Sequence, residues 1–301
     1  MDDQNKNLIL ATALSFLVIL GWYSFFPPPE PETAPQPVAT ETAPESTTAN
    51  APAVAQSDAT VSTQPSAEAD APSAPRLRID TERLAGSISL QGGRIDDLAL
   101  KDYRESLDED ADIVHVLTPV GQPEAFYALY GWAPGAGLTF EDVPGANTVW
   151  TADETQTLTP DTPVTLTWDN GKGLTFTRTI SVDEDYLFSV TQSVQNASGA
   201  TVSLAPYGTL ARHGEPADLK NFFILHEGVV GMADGELSEI DYDDMVDFEP
   251  DPRDGARAEV KQVETNGWIG FTDHYWMSTL VPEPGQSFRP IAKYDERREI
   301  Y

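Results

Sequence analysis

The sequence has no cysteine among its 301 residues, which excludes disulfide bridges, thiolate metal sites and cysteine nucleophiles. Basic residues are also scarce, with 18 Lys and Arg against 49 Asp and Glu and a net charge of -31. Phosphate binding needs clustered Lys and Arg, so this balance argues against DNA or RNA as a partner. It also argues against docking on anionic lipid headgroups.

Long apolar runs are missing with one exception, which extends from Leu8 to Phe26 and contains no charged side chain. As a helix, about 19 residues span roughly 28 Å, close to the hydrocarbon thickness of a bilayer. The run therefore predicts a single transmembrane helix.

The residues that flank this run predict its orientation and its fate. The tip, Met1 to Asn7, contains Lys6, and the next basic residue is Arg76. This bias predicts a cytoplasmic N-terminus with the rest of the chain on the other side of the membrane. Bulky rings at the end of the run, followed by prolines, form a poor cleavage site and favour an uncleaved anchor. A cleaved signal peptide and a buried soluble helix are the alternatives.

A segment of different composition, Pro27 to Pro75, follows the anchor. It lacks aromatic residues, Leu, Ile, Lys and Arg, and consists mostly of Pro, Ala, Thr, Ser and Glu. Such a segment cannot bury enough apolar surface to offset the entropy of ordering. We expect a disordered tether.

Short β-rich runs separated by turn residues fill the remainder, Arg76 to Tyr301, and predict a mainly β domain built as a sandwich. The clearest pair is Val164 to Trp168 and Leu174 to Ile180, with an Asn-Gly hairpin signal between them. Thr148 to Thr151 reads as another strand. The one helical turn that we expect lies near Asp273 to Leu280. The end at Tyr301 reads as the start of a further strand, so we expect the domain to be incomplete there.

Titratable residues give little support for catalysis. His115 lies inside a strand pattern, and His274 is expected to close a turn. A histidine with a neighbouring carboxylate can perform acid–base chemistry on a sugar hydroxyl, and two such pairs exist in the sequence: His213 with Glu215, and His226 with Glu227. We weigh these pairs as a minor alternative, and we predict no enzyme activity and no cofactor.

An acidic segment from Glu236 to Asp254 is the strongest candidate for a metal site. Asp241 and Asp243 match the first positions of a calcium loop, but Met245 and Val246 occupy the next ligand and glycine positions. We therefore predict a solvated loop and no metal.

One apolar cluster near the end of the sequence has two interpretations. Its large side chains are Trp268, Phe271, Tyr275 and Trp276. They form either part of a sandwich core or a surface that contacts a partner protein or the membrane.

Three segments resemble one known family. The opening through Phe26 looks like the first membrane segment of the YidC-type membrane protein insertases of Gram-negative bacteria. Gln91 to Leu98, continuing to Lys101–Tyr103, resembles a signature of that family's large periplasmic domain. Asn266 to Met277 resembles a second signature near the end of that domain. The segments occur in the family's order, and the resemblance extends over the whole chain.

The resemblance implies a fold, a role and a location. The fold is a large β-sandwich of the galactose mutarotase type, a supersandwich. The role is insertion and folding of inner-membrane proteins, alone or with the Sec translocon, through a polar groove built from later membrane helices. The expected partners are nascent integral membrane proteins, Sec components and the lipid bilayer. The location is the bacterial inner membrane, with the domain in the periplasm.

The insertion groove is not encoded in these residues, because they include one apolar segment of spanning length. We expect the chain to supply an anchor and a periplasmic domain. Two other hypotheses stay open: a tethered carbohydrate-binding or mutarotase-like sandwich, and a tethered polypeptide-binding scaffold without catalysis.

Overall fold

The computed structural model describes residues 74–108, 110–217, 219, 226–273 and 275–301. The predictions for the tip, the anchor helix, most of the tether and His274 lie outside the described residues. Among the residues that are described, no helix is long and apolar enough to cross a membrane.

Short strands rich in β-branched and aromatic residues dominate the described residues and confirm the mainly β prediction. The strands are β1 (Arg76–Asp80), β2 (Leu84–Ser89), β3 (Arg94–Arg104), β4 (Ile113–Leu117), β5 (Phe126–Pro134), β6 (Thr157–Leu158), β7 (Val164–Asp169), β8 (Leu174–Val182), β9 (Phe188–Asn196), β10 (Leu204–Arg212), β11 (Gly228–Ala233), β12 (Glu236–Asp241), β13 (Pro250–Asp251), β14 (Ala256–Val260), β15 (Gly267–Asp273), β16 (Trp276–Leu280) and β17 (Ile291–Tyr294). The helical elements of the described residues are a 3₁₀ turn (Phe140–Asp142) and α1 (Tyr242–Val246).

The strands form four sheets. The largest has the order β10-β5-β3-β2-β1-β6, with β4 paired to β3. The others are β12-β11-β15-β16, β13-β14-β17 and β7-β8-β9. The named pairings are antiparallel except for β1 with β6. Hairpin connections therefore join most neighbouring strands.

Aromatic contacts from β5 join the large sheet to two of the smaller ones. Trp132 of β5 lies edge-on to Phe176 of β8, with ring centroids 5.0 Å apart. Phe126 of the same strand meets Phe271 of β15 at 5.8 Å. Because β5 contacts both partners, its side chains bridge a core shared by three sheets. The sandwich-like packing that we predicted is confirmed at this level.

The predicted hairpin of β7 and β8 is confirmed. Asn170 and Gly171 occupy the turn, and Gly171 has a φ of 69°, which glycine adopts without a steric penalty. The Asn170 side-chain oxygen accepts the backbone N–H of Lys172 at 2.8 Å. Along β8, alternate residues are buried, as expected for a strand with one face on the core.

The helical turn expected near Asp273 to Leu280 is wrong. These residues form the turn and second strand of the β15–β16 hairpin, in which Asp273 pairs with Trp276. Residues 267–280 contain two β-forming runs separated by a tight turn. Short apolar runs of this length do not distinguish strand from helix by periodicity, and pairing with β11 decides the outcome.

Two other assignments need correction. Thr148 to Thr151 makes single bridges, Gln91 with Val149 and Thr151 with Thr167, instead of a strand ladder. The acidic segment is not a simple loop, because it contains β12, α1 and β13. Burial explains the second error: Tyr242 and Met245 are 1% and 0% exposed and anchor α1 to the core.

Candidate interaction surface

The predicted surface cluster does not stay together in the structure. Phe271 is 6% exposed, meets Phe126, and stacks on Tyr242 with ring centroids 6.1 Å apart and planes inclined by 12°. Phe271 therefore belongs to the core, and its assignment to an outer surface is corrected. Side chains alternate along β15, so a residue that faces β5 cannot also face solvent.

Trp268 lies in a different place. It pairs with Met232 across the β11–β15 ladder and is partly buried. Together they line a groove whose other lining residues include Lys261 and Pro290. Neither Tyr275 nor Trp276 lines this groove.

Tyr275 is the exposed member of the predicted cluster, and Trp276 is partly buried. Tyr275 is 83% exposed and has a φ of 70°, a left-handed conformation that is costly for a bulky residue. The ring of Trp276 packs edge-on against Tyr103, with centroids 4.8 Å apart and planes at 75°. This turn therefore places a strained tyrosine at the surface, next to the partly buried Trp276.

Tyr186, from the β8–β9 turn, extends this group. Its hydroxyl donates to the Asp102 carboxylate at 3.4 Å, and Asp102 precedes Tyr103 in β3. The Arg83 guanidinium lies 5.7 Å from the Tyr186 ring centroid and pairs with Asp185 at 3.2 Å. We call the group of Tyr103, Tyr186, Tyr275 and Trp276 the aromatic patch. Three of its members are at least 38% exposed.

Sequence reasoning found two members of the aromatic patch and missed two. Tyr103 and Tyr186 are 83 residues apart, and only the topology of the sheets brings them together. A weak signal did exist, since Tyr186 follows three consecutive acidic residues in a turn between two strands. A large ring in such a polar turn is a candidate for surface recognition.

One member of each pair proposed for acid–base chemistry is engaged elsewhere. Both ring nitrogens of His226 lie 2.9 Å from protein acceptors, the Asp241 carboxylate and the Val229 carbonyl. Glu215 accepts a hydrogen bond from the Tyr301 hydroxyl at 2.9 Å. These contacts give the sugar-isomerising hypothesis no support.

His213 and His115 complete the described histidines. Burial, together with the positive charges of Arg298 and Arg94, lowers the pKa of His213. A neutral ring at this position packs 5.8 Å from Tyr127. His115 is exposed on β4, in keeping with a rim position.

Metal binding also lacks a site in the described part of the chain, which contains no group of three or more His, Asp or Glu side chains placed to hold an ion. Asp241, one of the two calcium candidates, instead contacts His226. Tyr242 lies between the two candidate aspartates and donates to Asp273 at 3.1 Å.

The first signature segment, Gln91 to Leu98, surrounds a buried arginine. Arg178 of β8 is 1% exposed and donates to the Gly93 carbonyl at 2.7 Å and to the Tyr130 carbonyl. Its guanidinium lies 4.7 Å from the Trp150 ring centroid. Desolvation in this site lowers the pKa of Arg178 to about 10. We call Gly93, Tyr130, Trp150 and Arg178 the arginine lock.

Glycine is required at the arginine lock for two reasons. Gly93 has a φ of 63°, and a Cβ placed on it would lie 2.5 Å from Arg178 Nη1. A side chain here would be strained and would displace the guanidinium. The signature glycines therefore serve packing between the large sheet and the β7-β8-β9 sheet.

An ion-pair group lies beside the arginine lock. Asp96 is 1% exposed and pairs with Arg76, while Arg94 approaches the same carboxylate at 3.5 Å. Ser87 donates to Asp97 at 2.6 Å. A buried carboxylate needs such partners, so these signature residues are also structural.

The described residues form a mainly β domain with several exposed aromatic side chains. Comparison with known proteins identifies its family. Residues 76–300 match the family model of the YidC periplasmic domain, and the chain belongs to that family.

Curated relatives named "Membrane protein insertase YidC" align with the whole chain. The relative from Ruegeria sp. (strain TM1040) is 71% identical over 304 residues, which is 100% of this chain and 50% of the relative. The relative from Ruegeria pomeroyi is 61% identical and that from Dinoroseobacter shibae 57%, with the same coverage. The chain thus spans about half the length of the curated relatives it matches.

Proposed function

We propose that this chain contributes the membrane anchor and periplasmic domain of a membrane protein insertase, which inserts and folds integral proteins of the bacterial inner membrane. The observation that carries this proposal is the alignment of the entire chain with relatives of that name at 57–71% identity. The nascent membrane proteins are the substrates, and Sec translocon components are partners.

The proposed arrangement follows from the sequence. Leu8 to Phe26 crosses the inner membrane with the N-terminus in the cytoplasm, and the Pro-rich segment links it to the domain in the periplasm.

Within this arrangement the domain supports insertion and does not provide the insertion path. Moving polar groups through hydrocarbon costs several kcal/mol for each unsatisfied group, and an uncharged apolar helix offers no polar route. The domain contacts partner proteins through the aromatic patch. Its sheets follow the supersandwich of galactose mutarotases, with the mutarotase chemistry absent.

Depletion of the protein in its source bacterium tests the proposal. Newly made inner-membrane proteins, pulse-labelled and probed with protease from the periplasmic side, should lose their protected fragments, and the intact gene should restore them. Unchanged insertion after depletion would contradict the proposal. A gene lacking codons 76–300 then measures what the periplasmic domain contributes.

A further inference from the structure

We propose that the aromatic patch is a docking site for a cationic segment of a partner polypeptide, rich in Arg or Lys. This inference rests on the proposed role of the domain in partner contact and specifies the chemistry of the partner.

The rings of the aromatic patch are displayed by separate elements. Tyr103 extends from the end of β3, Tyr186 from the β8–β9 turn, and Tyr275 and Trp276 from the β15–β16 turn. Tyr103 is 45% exposed, Tyr186 38% and Tyr275 83%. The edge-on contact of Tyr103 with Trp276 holds two of these rings in a fixed relation. Fixed, exposed rings lose little conformational entropy when they bind a partner.

Carboxylates lie close to two of these rings, Tyr103 and Tyr186. Asp102 accepts from the Tyr186 hydroxyl, and Asp183, Glu184 and Asp185 directly precede Tyr186 in an exposed turn. The surrounding field has the same sign, since residues 74–301 contain 40 Asp and Glu against 17 Lys and Arg. A cation approaching the rings is therefore attracted from long range.

The molecule already shows the contact that we propose. Arg83 places its guanidinium 5.7 Å from the centre of the Tyr186 ring and pairs with Asp185 at 3.2 Å. An aromatic face and a carboxylate together therefore hold a guanidinium at this surface.

The same features disfavour other partners. Phosphates of nucleic acids or anionic lipids are repelled by the carboxylates around the rings. Acidic polypeptides are repelled for the same reason. Tyrosine and tryptophan also suit the surface of a neutral bilayer, so binding to lipid is an outcome that the experiment must separate.

Binding of a labelled peptide to the full chain in non-ionic detergent tests the inference. The probe is a Gly-Ser peptide with four Arg residues, and its matched control carries citrulline, a neutral isostere, in place of each Arg. We expect the Arg peptide to bind about tenfold or more tightly than the citrulline peptide, and binding to weaken as salt rises. Equal affinity for the two peptides would overturn the inference.

Variants distinguish binding at the patch from long-range attraction by the negative charge of the whole protein. Tyr103→Ala should weaken Arg-peptide binding by about three- to tenfold, and Tyr103→Phe should retain it because the ring is kept. Asp102→Asn with Glu184→Gln should weaken binding, whereas Glu236→Gln with Glu239→Gln, on β12, should change it by less than about twofold. Equal losses of affinity in the two double variants, or no loss in Tyr103→Ala, would show that the acidic protein attracts the peptide without a specific site.

A bilayer control completes the design. The chain has no cysteine, so a Leu187→Cys variant, at an exposed side chain next to Tyr186, can carry one environment-sensitive dye. The dye should respond to the Arg peptide and not to transfer from detergent into nanodiscs of phosphatidylcholine. The opposite response would assign the patch to the membrane surface. Neither result bears on the depletion assay, so failure here leaves the insertase proposal independently testable.

Discussion

The arginine lock and the aromatic patch use similar side chains for opposite purposes. The lock contains Gly93 from the first segment that resembles a family signature, whereas the patch contains residues from both segments, and an arginine contacts a ring in each. In the lock, Arg178 is 1% exposed and its hydrogen-bond acceptors are backbone carbonyls of the core. In the patch, Tyr275 is 83% exposed and strained. A motif by itself therefore does not separate structural from functional residues, and burial does.

Among the substitutions that test the difference between the lock and the patch, Arg178→Met should have the largest effect on stability. Two backbone carbonyls lose a charged donor, and their desolvation is no longer compensated, so we expect a loss of about 3 kcal/mol in the free energy of unfolding. Urea unfolding of the full chain, followed by tryptophan fluorescence, measures it. Arg78→Met, at a side chain that is 70% exposed, is the control and should cost less than about 0.5 kcal/mol. Equal losses of stability in Arg178→Met and Arg78→Met would show that the lock does not stabilise the fold.

Gly93→Ala tests the geometry of the same site with a smaller change. The added methyl group combines a strained φ with a close approach to Arg178, and we expect a loss of about 2 kcal/mol. Gly171→Ala is a matched control, because its φ is 69° and a Cβ there would meet no atom within 4 Å. It should cost about 1 kcal/mol from strain alone. Identical losses at both positions would mean that the contact with Arg178 is unimportant.

The surface residue Asp234 gives a third, weaker effect, on the dependence of stability on acidic pH. Backbone N–H groups of Glu264, Asn266 and Thr265 bond to Asp234 and lower its pKa to about 2. The folded pKa lies below the unfolded value, so this stabilisation is present above about pH 4 and is lost as the pH falls toward 2. Stability measured between pH 4 and 2 should fall less steeply in Asp234→Asn than in the wild type. The exposed control Asp161→Asn should keep the wild-type slope.

Tyr275→Gly tests the aromatic patch and should have the smallest effect on stability. Glycine adopts a φ of 70° freely, so the substitution should raise the free energy of unfolding by about 0.5–1 kcal/mol. The same variant should bind the Arg peptide less tightly. Retaining a destabilising side chain is expected for a residue kept for recognition. A loss of stability would instead indicate that Tyr275 supports the fold.

Local pattern predicts much of the fold. The strand pattern around His115 is β4, and the β7–β8 hairpin follows from its Asn-Gly turn and alternation. The strand β16 was missed because short apolar runs are ambiguous and pairing partners settle them. The helix α1 was missed because its two buried residues lie within an acidic segment. These errors lie where tertiary contacts outweigh local preference.

The candidate surface was harder to predict. Tyr275 and Trp276 stand out as an aromatic run, but Phe271, four residues earlier, turns into the core. Tyr103 and Tyr186 join the patch only through the arrangement of three sheets. Sequence spacing contains no information on such contacts, whereas exposure in the folded domain does.

Protease treatment of inverted inner-membrane vesicles, with the cytoplasmic face outward, tests the central claim most directly. The account predicts that the Arg76–Tyr301 region resists protease until detergent opens the vesicles. Digestion of that region in sealed vesicles, or its recovery as a soluble product without the first 26 residues, would contradict a periplasmic domain held by an N-terminal anchor.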